Sequence, residues 1–207
     1  MEIYPKLEAV IDSYSEYSPS KEREEVLIQL VEYILDKLTT DRNLSLNFIC
    51  THNSRRSQLA QVWAQTAADY FGIPVRSFSG GVEATAFNER AVKALETSGF
   101  DIIKEGEQNP VYSIYSSADA LPILVFSKIY EDKQNPHQGF AAIMTCDHAD
   151  ENCPFIPGAD IRIPLRYEDP KAFDDTAQEA EKYLERSLQI GAELFFAFRR
   201  VRQVFTI

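Results

Sequence analysis

The sequence predicts an α/β fold: a doubly wound, mostly parallel four-stranded sheet flanked by helices, with a helical extension at residues 1–40 and an inserted hairpin at about 109–140 of the main domain, 41–207. Three observations carry the prediction. Short apolar runs of strand length recur, helical stripes with their own caps and stops separate them, and strand, turn and helix alternate in the order that gives right-handed crossovers and a parallel sheet. At 207 residues the chain is long enough for one sizeable domain with additions.

In chain order, a short helix is expected over Lys6 to Tyr14, and Ser18 with Pro19 reads as the capped start of a second. In that second helix Val26, Leu27, Leu30, Val31, Ile34, Leu35 and Leu38 form one apolar stripe, which either packs on the chain's own core or seals a homodimer through the N-terminal helices. Leu44, Leu46, Phe48 and Ile49 form the first strand. A polar turn, Cys50 to Arg56, leads into an amphipathic helix starting near Ser57, which Gly72 stops. Pro74 to Ser79 is a second strand closed by Gly80 and Gly81, and Asn88 caps a helix that runs through Thr97, with Gly99 as its stop. Val111 to Ser116 and Leu121 to Ile129 read as the hairpin, Phe140 to Thr145 as a central strand ending at Cys146, and Asp160 to Leu165 as a last strand. A helix from about Thr176 to Val204 packs through Ala180, Tyr183, Leu184, Leu188, Leu194, Phe195 and Phe198.

The stretch around which the chain is organised is the turn Cys50-Thr51-His52-Asn53-Ser54-Arg55-Arg56-Ser57. A cysteine at a strand end with an arginine six residues on is about the spacing needed to turn successive N–H groups onto one centre, above a helix N-terminus. An oxyanion such as phosphate or arsenate would sit on the amides of Thr51 to Ser57, with the Arg56 guanidinium as a planar fork. The same field would stabilise a Cys50 thiolate. The loop has no glycine, and Asn53 is the residue suited to the positive φ a nest requires. His52 reads as a turn residue rather than a base.

A net charge of −11 argues against nucleic acid or an anionic membrane as partner, and makes Arg55 and Arg56 a local positive island. No apolar run has the length of a membrane span and the N-terminus has no signal-peptide pattern, so the cytoplasm is expected. Three cysteines in such a chain suggest nucleophilic or redox chemistry rather than a disulfide framework. Cys146 and Cys153 stand seven residues apart, about 10 Å along a straight helix, so pairing them requires the acidic segment between to loop out. Zinc on Cys146, His148 and Cys153 fits no common finger spacing, and no metal is expected.

The run C-T-H-N-S-R-R-S-Q-L-A resembles the low-molecular-weight protein tyrosine phosphatase superfamily, and is most similar to its thioredoxin-coupled arsenate reductases. The resemblance covers roughly residues 44–204. It implies Cys50 as nucleophile, Arg56 as oxyanion fork, Asp169 before Pro170 as general acid, and a Cys50, Cys146, Cys153 relay that ends in a Cys146–Cys153 disulfide reduced by thioredoxin. It also implies a structural potassium ion. Against that ion, Gln61 stands where the reductases carry a glutamate, and Lys104 to Gln108 lack the expected Thr and Asp. No other bound cofactor is implied. Two alternatives compete with arsenate reduction. A phosphatase would act on phosphotyrosine or small phosphoesters through a phosphocysteine, although Tyr167 to Phe173 lacks the tyrosine pair that follows the acid in phosphatase relatives. An interaction protein would carry a vestigial pocket.

Overall fold

The computed structural model describes residues 2–40, 44–152 and 155–205. In chain order the elements are α1 (Pro5–Ser13), α2 (Lys21–Thr39), β1 (Leu44–Cys50), α3 (Arg56–Phe71), β2 (Val75–Gly81), α4 (Glu89–Ser98), β3 (Asp101–Glu105), β4 (Val111–Tyr115), β5 (Ile123–Val125), β6 (Phe140–Met144), α5 (Asp147–Asn152), β7 (Ala159–Ile163) and α6 (Glu179–Val204). The main sheet has four parallel strands in the order β2-β1-β6-β7, as the alternation of elements predicts. Every residue of β1 is buried, because β1 is paired on both sides and covered on both faces.

The two faces of β6 show how the layers form. Ala141 and Ile143 join the large core made with α1 to α4 and α6, whereas Phe140, Ala142 and Met144 join a small cluster with Ile49, Cys50, Cys146, Ala149 and Ile156 under α5. Residues 101–125 make a separate antiparallel sheet, β3-β4-β5. The hairpin is therefore correct in kind, but a third strand precedes it and β5 is shorter than the apolar run Leu121 to Ile129. Four of the five β3 residues are exposed, so that strand carries no run of buried apolar residues to mark it.

Two other expectations need correction. The α2 cap is Ser20, whose Oγ accepts the Arg23 N–H at 3.3 Å, and not Ser18. Ala180 is exposed; α6 packs through the expected Tyr183, Leu194, Phe195 and Phe198, with Ile190 and Val201 beside them. The apolar stripe of α2 packs on the chain's own core: Leu27, Leu30 and Ile34 are completely buried with β1 and α6. Arg23 and Glu193 tie α2 to α6 with an ion pair of 2.6 Å.

Trp63 on α3 is the hub of the aromatic core. Its ring meets Tyr14 at 5.8 Å, Phe100 at 5.0 Å and Phe195 at 6.2 Å, and its Nε1–H donates to Ser187 Oγ at 3.0 Å. The ring fits because α6 has no side chain at Gly191, where a Cβ would stand 2.6 Å from Tyr14 Oη and 2.9 Å from Trp63 Cδ2. Helix propensity favours alanine there by about 1 kcal/mol, while overpacking costs about 1–3 kcal/mol. Gly191→Ala is expected to lower stability by about 1–2 kcal/mol in urea unfolding, and a more stable variant would show the packing argument to be wrong. Leu30→Ala should cost about 2–5 kcal/mol of global stability, an effect absent if α2 were only an appended helix.

Candidate active site

The nest stands at the C-terminal edge of β1, where α/β folds place ligands. Cys50 pairs with Gly81 in the β1–β2 register, and the loop then turns sharply into α3. The turn needs both a positive φ and a close neighbour without a side chain. Asn53 has φ 45°. At Gly81 a Cβ would stand 2.7 Å from the Asn53 nitrogen and 2.9 Å from the Thr51 carbonyl oxygen. Among the described residues, no protein acceptor takes the N–H groups of His52, Asn53, Ser54 or Arg55. That is the donor array an anion needs.

The outward-facing groups of the loop are held from all sides. Glu83 N–H donates to Thr51 O at 2.8 Å and Asn88 N–H to Ser54 O at 2.8 Å. Ser127 Oγ and Thr85 Oγ1 both donate to His52 O, at 3.2 and 3.1 Å. Gln58 Nε2 donates to Asn53 O, and Lys128 N–H to Asn53 Oδ1 at 2.9 Å. Ser127 and Lys128 belong to the inserted segment, and nothing local in the sequence marks them as props of the loop.

Cys50 is buried, and its Sγ lies 3.0 Å from Ser57 Oγ. Asn53 Nδ2 donates to that same oxygen at 2.9 Å, which sets Ser57 Oγ between the amide and the sulfur. Arg56 donates from Nη1 to Tyr167 O at 3.0 Å and from Nη2 to Asp169 Oδ2 at 2.7 Å, while its Nε is buried without a partner. Asp169 has two roles at once, because its Oδ1 also caps the turn Pro170–Phe173 by accepting Lys171 N–H at 3.0 Å. The Arg55 guanidinium faces Tyr183 Oη at 2.7 Å, Asp174 at 3.4 Å and Asp169 Oδ1 at 4.0 Å, so both arginines border Asp169 and Arg56 is the one that bonds it directly. Burial and the Asp174 hydrogen bond push the Tyr183 phenol up to about 12.

Cys146 follows β6 and is buried. Its Sγ lies 3.4 Å from Thr51 Oγ1 and accepts Ala149 N–H at 3.4 Å. Thr51 Oγ1 also meets His148 Nδ1 at 3.4 Å. His52 is half exposed, with Glu83 at 3.8 Å. Cys50 and Cys146 are free thiols, and Cys153 lies outside the described residues. Among the described residues no group of histidines, cysteines and acids is arranged to hold a metal ion. At Gln61, which stands in place of the glutamate that the resemblance implies for potassium, Oε1 accepts Ser79 Oγ–H at 2.7 Å and Nε2 donates to Leu124 O at 3.2 Å.

No protein-family model matches the chain. It is 27% identical over 152 residues to an arsenate reductase of Bacillus cereus, covering 71% of this chain and 96% of that one. With an arsenate reductase of Brevibacillus brevis it shares 30% over 126 residues, 61% of this chain and 76% of the relative. The chain belongs to the arsenate reductase family. Its fold is that of the low-molecular-weight phosphotyrosine phosphatases: a crystal structure of such an enzyme from Vibrio cholerae matches with a TM-score of 0.54 at 15% identity, covering 80% of this chain and all of that one. A hydrogen bond to a thiolate is worth about 1 kcal/mol or more, so Ser57→Ala is expected to slow alkylation of Cys50 by iodoacetamide at neutral pH about fivefold, and an unchanged rate would remove Ser57 from the activation of sulfur.

Proposed function

We propose that the chain reduces arsenate to arsenite through a Cys50, Cys146, Cys153 thiol relay recharged by thioredoxin in the cytoplasm, without a bound potassium ion. The observation that carries this reading is the position of Cys146, whose sulfur touches the side chain of the residue following Cys50 and shares its apolar cluster. The family relatives named above supply the substrate. Arsenate would sit on the inward N–H groups, with the buried Nε of Arg56 as the donor left for it. Taking the Arg56 charge onto the ligand loosens the Asp169 carboxylate, which then takes up the proton released by the Cys50 thiol and passes it to the departing oxygen. Water leaves, and a Cys50 sulfur–arsenic bond forms.

Cys146 next attacks the Cys50 sulfur. The sulfur–arsenic bond breaks with its electron pair on arsenic, arsenite departs, and a Cys50–Cys146 disulfide remains. Cys153 attacks Cys146 and restores the Cys50 thiol, and two electrons from thioredoxin reduce the Cys146–Cys153 disulfide. Cys146 must leave its packing for this, and it sits at the start of the six-residue α5, a short element to unwind. The acidic composition of 147–152 favours an exposed, rearranged segment.

Phosphoester hydrolysis is the second reading. Cys50 beside Ser57 and Arg56 paired with Asp169 support this reading, a phosphocysteine hydrolysed by water without a second thiol. Two assays separate the readings: arsenate-dependent NADPH oxidation with thioredoxin and its reductase, and hydrolysis of an aryl phosphate. Cys50→Ser is expected to abolish both, and Asp169→Asn to slow both by about 10²–10⁴-fold. Cys153→Ser should abolish only thioredoxin-linked turnover; equal arsenate turnover in wild type and Cys153→Ser would defeat the relay.

A further inference from the structure

A second cavity, of about 400 Å³, opens between α3, the outer edge of β2 and the β5 segment. In it stands Lys128, only 5% exposed. Its Nζ lies 4.5 Å from the Phe126 ring centroid, and among the described residues no carboxylate comes within ion-pair distance and no acceptor takes its protons. The contrast within the chain is clear: the other buried lysine, Lys37, has Asp160 at 2.5 Å. The Lys128 side chain is largely buried with no ion-pair partner among the described residues, and burial lowers its amine to about 8, with Asp132 the carboxylate that opposes the shift.

The rest of the lining agrees. Arg76, exposed at the mouth, forms no ion pair among the described residues and lies over the Phe78 ring at 5.2 Å. Ser77 Oγ is buried without a partner. Asp69, the carboxylate of the lining, is bound by Gln65 Nε2 at 2.9 Å, and burial raises its pKa. The opposite wall is apolar, with Pro122, Ile123 and Leu124. We propose that this cavity binds a small organic anion, a carboxylate or sulfonate on a flat apolar body, with the anion on Lys128 and Arg76 and the body against Phe78, Ile123 and Leu124.

The site is distinct from the nest: the Lys128 N–H supports Asn53, while its side chain serves the second cavity. Calorimetry with 1-naphthoate on the full chain tests it. Binding to wild type is expected to weaken at least about tenfold in Lys128→Met, and 1-naphthamide, the neutral isostere, should bind wild type about as poorly. Protonated Lys128 holds the anion more tightly than the neutral amine does, so affinity is full below the Lys128 pKa and falls as pH rises past it, towards the weaker level that Arg76 alone supports. Arg56→Ala, which damages the nest, should leave naphthoate binding intact. The proposal is overturned if naphthoate fails to bind at millimolar concentration, if Lys128→Met binds it normally, if affinity is flat from about pH 7 to 10, or if Arg56→Ala removes binding. Should Lys128→Met not fold, the wild-type pH series and the exposed-site variant Arg76→Gln, expected to weaken binding several-fold, decide the matter.

Discussion

The site depends on a loop whose N–H groups turn inward and are left without protein acceptors. Such a loop is unfavourable unless its remaining polar groups are satisfied elsewhere. The structure meets that condition from four directions. β2 offers Gly81 as a surface without a side chain; the segment before α4 bonds Thr51 and Ser54; the inserted segment bonds His52 and Asn53; and α3 returns Gln58 to Asn53. The periphery therefore maintains the donor array of the loop.

A second set of contacts joins the loop to the strand ends of the sheet. Thr145 donates from its N–H and Oγ1 to Ile49 O, at 2.7 and 2.9 Å, and its own carbonyl accepts Tyr167 N–H at 3.1 Å. Tyr167 O in turn holds Arg56, and Asp169 holds it again two residues on. The position of the arginine fork is thus transmitted from β1 through β6 to the segment after β7. Cys146, directly after Thr145, inherits the same placement.

The N-terminal helices reach this network from behind. Arg23 on α2 pairs with Glu193, which is 1% exposed, and lies over the Tyr167 ring at 4.6 Å. A buried ion pair contributes more to geometry than to stability, since its desolvation cost offsets much of the attraction. Here it holds the Arg23 guanidinium against the Tyr167 ring. The extension and the insertion also meet, for Tyr4 N–H donates to Ser116 O at 3.0 Å. Both additions are thereby tied to one body that holds a single loop.

Much of this was legible along the chain. The apolar runs, the Asn88 cap and the Gly72 and Gly99 stops located the strands and helices, and the cysteine-to-arginine spacing located the nest, because each depends on residues close in sequence. Asn53 was identifiable as the positive-φ residue for the same reason. Contacts between residues far apart could not be read this way. That Ser127 and Lys128 support the loop, that Arg55 turns to Asp174 while Arg56 meets Asp169, and that Cys146 comes to Thr51 are consequences of parallel strands being brought together by long crossovers. Local propensity and spacing determined the elements and the chemistry of the turn; only packing around β1 decided which distant groups face it, since a side chain's partners across a sheet are set by register and layer and leave no periodic trace in the sequence.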